Sequence, residues 1–578
     1  MRTLGFASLA RRSLPNYWDA AAFVIVVAIL VAIVSGSHGV AVPLPPPDQS
    51  PIDLTYWDLP YYALRTTLRM FAALIASLTF TFIYATLCAK SKRAEMVLIP
   101  ILDILQSVPI LGFLSFTVTF FLNLFPGRVL GAECAAVFAI FTSQAWNMAF
   151  SFYQSLRTVP KDLEEVSRGF HLTGWQKFWS LEAPFAVPGL VWNTMMSMSG
   201  GWFFVVASEA ITVGDTTIKL PGIGAYLAVA IDQQRIDAVL AAVVMMLVVI
   251  LAYDQILFRP IVAWAGKFRV ELSAGEVEHS SWVLTIFKRS RWLQTALGPL
   301  AWLVRTISFL PLSFRVPQLA AMSRRPSRGV GMVMDGLWYV LIAAVVAWSI
   351  YSVITFVGTT LGPKDALNAF GLTLITLVRV LALILIASLV WVPIGVWIGL
   401  RPKLAEIVQP LAQFLAAFPV NVLFPFVVVG IIYFNLNPDI WLSLLIVFGT
   451  QWYILFNVIA GASAFPNDLK EAAANFHIKG WLWWKNVMLP GVFPYYFTGA
   501  LTASGGSWNA AIVAEYVKWG QDKVTAHGIG SYIAIATENG DFPRIVLGVA
   551  MMSIFVTLLN RFVWRRLFTM AERRLRLD

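Results

Sequence analysis

Two acidic, small-residue stretches stand out among the residues able to do chemistry. One reads Asp468-Leu-Lys-Glu471-Ala472-Ala473-Ala474 and the other Asp162-Leu-Glu-Glu165-Val166-Ser167, introduced by Pro466 and Pro160 respectively. Proline suits the first turn of a helix, and Asp followed three residues later by Glu is a capping-box pattern. Each stretch therefore predicts a short, water-exposed helix, and Gly480 would end the one at 468–474. The alanines let another surface approach the backbone closely, and Glu471 stays available to a partner's basic group. That is docking chemistry. A second pair, Glu209 and Glu515, lies in apolar surroundings, where an unpaired charge costs at least about 2.5 kcal/mol. Trp202, Phe203, Trp508 and Asn509 lie one or two turns away and are candidate lining of a solute path. Two readings stand for the glutamates: they line that path, or they accept backbone N–H groups and brace the break before the Gly-Ile-Gly segments at 222–224 and 528–530.

Other chemistries find no support. There is no Gly-x-x-x-x-Gly-Lys-Ser/Thr, since Gly266-Lys267 is followed by Phe268, so ATP binding in the P-loop manner is excluded. The Ser-Gly-Gly sequences at 199–201 and 504–506 sit inside apolar runs and suit helix packing. Cys88 and Cys134 have no metal-ligand spacing with the five histidines, and no Asp/Glu/His cluster has catalytic spacing. No catalytic residue, metal site or cofactor bound by this chain is expected. His171 and His477, at helix ends beside Phe and Trp, read as packed or capping residues rather than pH sensors.

The elements that position these residues are membrane spans. Of 578 residues, 58% are hydrophobic and 13% charged, with mean hydropathy +0.73, against about 25% charged in soluble chains. Apolar runs long enough to cross a bilayer lie near 19–36, 67–89, 96–124, 131–155, 190–212 and 236–258. A second six lie near 335–357, 373–399, 405–434, 439–462, 495–517 and 543–564. The net charge of +11 comes from short Lys/Arg clusters between runs, which are topology signals and not a nucleic-acid footprint. Arg2, Arg11 and Arg12 precede the first run, Asp48, Asp53 and Asp58 follow it, and Lys90, Lys92 and Arg93 come next. Basic loops then recur at 156–189, at 259–269 and in the tail from Arg561 to Arg576. This alternation predicts both termini in the cytoplasm, with Cys88 and Cys134 near opposite faces and no disulfide between them. The first run, although preceded by arginines and followed by small residues, reads as a retained anchor.

The chain repeats itself. At an offset of 306, Phe170-His171 matches Phe476-His477, Gly174-Trp175 matches Gly480-Trp481, and Trp202, Glu209 and Gly222-Ile-Gly224 match Trp508, Glu515 and Gly528-Ile-Gly530. Earlier the offset is 310, pairing Arg69 with Arg379 and Pro109 with Pro419. An even number of spans per half makes the repeats parallel. The expected organisation is a first repeat over 1–270, a basic amphipathic cytoplasmic linker over 271–333 and a second repeat over 334–578. The linker run Trp292 to Leu312 is broken by Gly298-Pro299, Arg305 and Pro311, so it reads as an interfacial segment or a solvated tether, not a span.

The loop between the fourth and fifth spans, with Glu471-Ala472-Ala473, Gly480 and Leu489-Pro490, resembles the cytoplasmic Glu-Ala-Ala motif of permeases of bacterial binding-protein-dependent ABC importers. Ser504-Gly505-Gly506-Ser-Trp508, Ala514-Glu515 and Gly528-Ile-Gly530 look most like the nitrate/sulfonate/taurine-type permeases, in a fused, duplicated form. The resemblance implies an all-α polytopic membrane protein of two parallel six-helix repeats, about 12 transmembrane helices, similar to a type I ABC importer permease. It implies ATPase coupling through Asp162, Glu165, Gly174, Asp468, Glu471, Ala472, Ala473 and Gly480. It also implies two ABC ATPase subunits that use ATP and Mg²⁺, an extracytoplasmic solute-binding protein, a multi-pass place in the inner membrane, and a small anionic solute moved by alternating access. Two departures stand: Glu165-Val166-Ser167 replaces Glu-Ala-Ala, and histidine occupies the motif-glycine position in both halves. A secondary transporter with parallel repeats would need ion-coupling carboxylates inside the spans, which are scarce. A membrane enzyme or scaffold would need a catalytic or metal cluster, and none is present.

Overall fold

The computed structural model describes residues 17–37, 52–213, 216–268, 281–311, 328–463, 465–564, 566–567 and 570. Asp48 and the basic residues Arg2, Arg11, Arg12, Arg269, Arg315, Arg324, Arg325, Arg328's side chain, Arg565, Arg573, Arg574 and Arg576 lie outside the described part. In the first half, α1 is Tyr17–Ser37, α2 Leu59–Lys90, α3 Lys92–Ser107, α4 Ile110–Leu124 and α5 Val129–Arg157. There follow α6 Lys161–Gly169, α7 Gly174–Lys177, α8 Ala183–Ser208, a hairpin of β1 (Ala210–Val213) and β2 (Thr216–Lys219), α9 Ile223–Asp232 and α10 Ile236–Tyr253. Two helices, α11 Trp282–Arg289 and α12 Arg291–Ser308, form the linker. The second half repeats the order: α13 Arg328–Gly358, α14 Pro363–Gly399, α15 Pro402–Ala417, α16 Phe424–Tyr433, α17 Pro438–Ser463, α18 Asn467–Asn475 and α19 Gly480–Trp483. It ends with α20 Leu489–Ala514, the hairpin of β3 (Tyr516–Trp519) and β4 (Asp522–Thr525), α21 Ile529–Glu538 and α22 Phe542–Leu559.

Among the described residues, eight helices are long and apolar enough to cross a bilayer by themselves: α1, α2, α5, α10, α13, α14, α17 and α22. The expected third span of each half is a correction to the sequence reading. Instead of continuous runs over 96–124 and 405–434, the chain bends by 103° between α3 and α4 and by 75° at the start of the α15–α16 connection. The cause is local. Pro109 and Pro419 have no N–H to donate, and proline pushes the preceding residue out of the helical region; Val108 and Phe418 sit extended, with ψ 126° and 125°. The fifth helices, α8 and α20, are 26 residues each, enough for about 39 Å. They are not among the eight and end in antiparallel hairpins, Ala210 opposite Lys219 and Tyr516 opposite Thr525, where the sequence had suggested continued helix. The second hairpin is tied to the end of α21. Burial alone would raise the Glu538 carboxyl, but bonds from Lys518 (2.7 Å), Tyr516 and Lys523 (3.0 Å) bring it down to about 2.

The chain gathers into two compact units that cut across the repeats: one contains 1–31, 151–192 and 255–363, the other 32–150, 193–254 and 364–578. In the first unit the linker helices pack on α1. Ala22, Ile286 and Leu293 form a small buried cluster, and the Asp19 carboxylate accepts from the Ser290 hydroxyl and the Trp292 N–H, both at 2.8 Å. α12 is one helix of 18 residues, amphipathic and carrying Pro299 within it. In the second unit the halves interlock. Gly112 of α4 abuts Val549 of α22, and Phe116 packs on Phe542 with ring centroids 5.5 Å apart. α10 meets α16 in the same exchanged sense. Both cysteines are free.

The topology is open to direct measurement. In a cysteine-free background, Trp57→Cys (89% exposed) should react with an impermeant maleimide on intact cells, and Phe476→Cys (80% exposed) only after permeabilisation. The reverse pattern would invert the orientation.

Candidate functional site

The two acidic helices, α6 and α18, are built alike. Each starts after a proline in extended conformation, Pro160 or Pro466, with no side-chain cap. The expected capping boxes at Asp162/Glu165 and Asp468/Glu471 are thus not formed; these four carboxylates point into solvent instead. Each helix then closes with the same paired bonds, Leu172 N–H to the Ser167 carbonyl (3.2 Å) and Ile478 N–H to the Ala473 carbonyl (2.9 Å). That six-to-one closure requires a left-handed residue, and His171 and His477 supply it at φ 51° and 54°. The stop is therefore the histidine, where the resemblance led us to expect glycine, and not Gly480, which opens the next short helix at φ 60°. A non-glycine residue holds this conformation at a cost of about 1–2 kcal/mol. Gly174 opens α7, Ala472 is half-buried and Ala473 is buried.

The first of these loops is held by an ion network whose residues the second half does not keep. Lys177 reaches Glu164 at 2.8 Å and Glu182 at 3.3 Å. Burial alone would lower the Lys177 amine, but the two carboxylates outweigh it and hold it above its ordinary value. Trp175 donates its indole N–H to the Ile307 carbonyl (2.7 Å), and Gln176 donates to the Phe309 carbonyl (3.0 Å). The linker helix α12 thus runs as a strut from Asp19 in α1 to the first acidic loop. In the second half the matching positions are Lys470, Trp483 and Met488, which cannot rebuild the ion network, and Trp481 is 75% exposed.

Deep in the second unit, each half encloses a buried ion cluster. Glu209 is wholly buried; it accepts from Arg69 (2.6 Å), Thr66 (2.7 Å) and the Gly224 N–H (2.7 Å). Thr66 in turn accepts the Ile223 N–H at 3.0 Å. Arg69 and Arg65 share Glu133. Glu515 repeats the scheme with Arg379, Thr376 (2.9 Å) and the Gly530 and Ser531 N–H groups (2.8 and 3.2 Å). The Gly-Ile-Gly motif now has a steric reason. A Cβ on Gly222 or Gly528 would overlap the glutamate carboxylate, and one on Gly224 or Gly530 would overlap the carbonyl of Val206 or Ala511. Asp439 replaces Glu133 in the second half and binds Arg379 (3.4 Å) and His527 (2.7 Å to its N–H, 3.0 Å to Nδ1). The arginines, threonines and Glu133/Asp439 were missed by sequence reasoning as partners of the glutamates. The signal was available: a buried arginine repeated at Arg69 and Arg379 demands a nearby acid.

The remaining path candidates separate. Trp202 and Trp508 are each 1% exposed, Trp202 lying edge-on to Tyr253 at 5.4 Å. Phe203 and Asn509 are only half-buried. They face the broken spans of the opposite half: the Asn509 Oδ1 accepts the Ile110 N–H at 2.7 Å, and the Phe203 carbonyl accepts from Asn421 at 3.2 Å.

A twofold array of broken spans, buried clamps and exposed acidic loops in one chain matches what comparison with known proteins finds. The family model described as binding-protein-dependent transport system inner membrane component matches twice, over residues 78–258 and 391–577. The chain belongs to this family. Among its relatives, the bicarbonate transport system permease protein CmpB of Synechococcus elongatus is 31% identical over 195 residues, 34% of this chain and 66% of that one. The nitrate import permease protein NrtB of Leptolyngbya laminosa is 26% identical over 189 residues, 32% of this chain and 64% of that one. The glycine betaine/proline betaine transport system permease protein ProW of Escherichia coli is 24% identical over 239 residues, 41% and 65%. The chain spans just under two thirds of the length of these relatives. The family repeat is therefore present twice in a single all-α polytopic chain.

Removing one partner of a buried ion pair costs about 3–5 kcal/mol. Glu209→Gln and Glu515→Gln should each lower the thermal unfolding temperature, because the carboxylate left behind is shared between Arg65 and Arg69 in one half and lies 3.4 Å from Arg379 in the other. Unchanged stability in both variants, with uptake lost, would place these carboxylates on the path instead.

Proposed function

We propose that this chain forms the complete transmembrane pore of an ATP-driven importer in a bacterial inner membrane, moving a small anion inward by alternating access. The observation that carries the reading is the pair of exposed acidic helices, α6 and α18, closed by the same backbone bonds and presented by one polypeptide. Each offers a docking post to one ABC ATPase subunit, with Asp162, Glu165 and Gly174 on one and Asp468, Glu471, Ala472, Ala473 and Gly480 on the other. The ATPases use ATP and Mg²⁺; an extracytoplasmic binding protein delivers solute, and both termini of the chain lie in the cytoplasm. Relatives named for bicarbonate and nitrate support an anionic solute.

In this reading Glu209 and Glu515 are braces. Each spends its oxygens on an arginine, a threonine and backbone N–H groups, leaving no carboxylate free to take up and release a coupling ion, as a secondary transporter would need. Phe203 and Asn509 are the path contacts, and the buried Trp202 and Trp508 set the helix spacing behind them. The linker strut makes the first docking post rigid, so that the second moves more during the cycle.

Purification of the tagged chain should bring ATP-hydrolysing subunits with it. Glu471→Lys should detach or uncouple them, whereas Glu165→Lys, on the post already lacking two alanines, should act more mildly. Normal attachment and transport in the Glu471 variant would remove this helix from the mechanism.

A further inference from the structure

One polar pair between two apolar helices, α3 and α5, has no part in the braces or the docking posts. Gln106, one residue before the end of α3, donates from Nε2 to the Asn147 Oδ1 at 3.0 Å. Both residues are exposed. Asn147 lies ten residues before Arg157 and eighteen after Val129 in α5, which is about 15 Å from one helix end and about 27 Å from the other. With Arg157 at one membrane surface, Asn147 comes about halfway through a hydrocarbon layer about 30 Å thick.

Uncharged amides with unused donors do not face lipid, because hydrocarbon offers them no partner; polar groups at this depth line a water-filled cavity. The contrast with a lipid-facing surface is visible in the same unit. The outer face of α10 exposes Leu240, Val244, Val248 and Leu251, whereas one turn from Asn147 its own helix carries Ser143 on the same face. The pair also adjoins the break in the third span. Gln106 is four residues upstream of Ile110, whose N–H is held by Asn509 from the other half. The repeat does not supply a second copy: the matching positions hold Ala416 and Tyr453, the latter buried.

We propose that Gln106 and Asn147 form a solute-binding site for a small planar oxyanion at mid-membrane, resting on the anion-import reading above. After their mutual bond, the pair retains two N–H groups on Asn147, one on Gln106, and the Gln106 Oε1 acceptor. Donors of this kind hold an oxyanion without the opposite charge that would trap it. The arginines of this region cannot serve, since Arg65, Arg69 and Arg379 are bound to carboxylates.

The test uses the whole transporter reconstituted in vesicles with its ATPases and binding protein, with bicarbonate and nitrate as probes. Asn147→Leu and Gln106→Leu should each raise KM for the transported anion about tenfold or more, the value of one hydrogen bond to a charged group, with unfolding temperature unchanged. In a Cys88→Ser, Cys134→Ser background, Asn147→Cys should react with a small charged methanethiosulfonate reagent, and the transported anion should slow that reaction. If the parent carries one of the two anions but Asn147→Cys is unreactive, or is equally reactive with and without the anion, the amide site is overturned while the import reading stands. If the parent carries neither anion, the substrate class falls, and the amide site falls with it.

Discussion

The structure depends on the cost of burying a guanidinium. Arg69 and Arg379 lie within apolar helices, and each would be untenable without an acid held against it. Glu209 and Glu515 meet that demand from just beyond the ends of the fifth helices. The carboxylates have oxygens to spare, which take the backbone N–H groups at the start of α9 and α21. A single ion pair thereby joins the second span, the fifth span and the segment after the hairpin. Glycine is required at 222 and 528 because the clamp carboxylate leaves no room for a Cβ, and at 224 and 530 because the carbonyls of Val206 and Ala511 leave none.

Duplication kept this clamp and released the rest. The glutamate, arginine, threonine and Gly-Ile-Gly are the same in both halves. The acidic loops diverged in what supports them, an ion network and a linker strut on one side and exposed aromatics on the other. The interior diverged too: Gln106 and Asn147 face Ala416 and Tyr453 across the repeat relationship. A homodimer could not make such differences, since both copies would change together. Fusion into one chain lets each half change without the other.

Much of this was legible in the residues. The repeat was, because proline, glycine, histidine, tryptophan and glutamate do not coincide by chance among apolar helices; the placement of spans followed from hydropathy and charge. The bends at Pro109 and Pro419 were readable but overlooked, since an apolar run looks continuous whether or not its backbone is. The hairpins left no period-2 signal of more than four residues. The ends of α6 and α18 were misplaced because glycine is the usual left-handed residue and histidine is not. The clamp's partners lie 140 and 136 residues apart in sequence, a separation no local pattern reports.

The claim that one chain supplies both halves of the pore is tested most directly by counting subunits. Native mass measurement of the complex purified through a tag on this chain should give one copy of it with two ATPase subunits. Two copies of this chain in the assembled complex would contradict the account, since each would then bring two docking posts and the pore would no longer be closed by a single polypeptide.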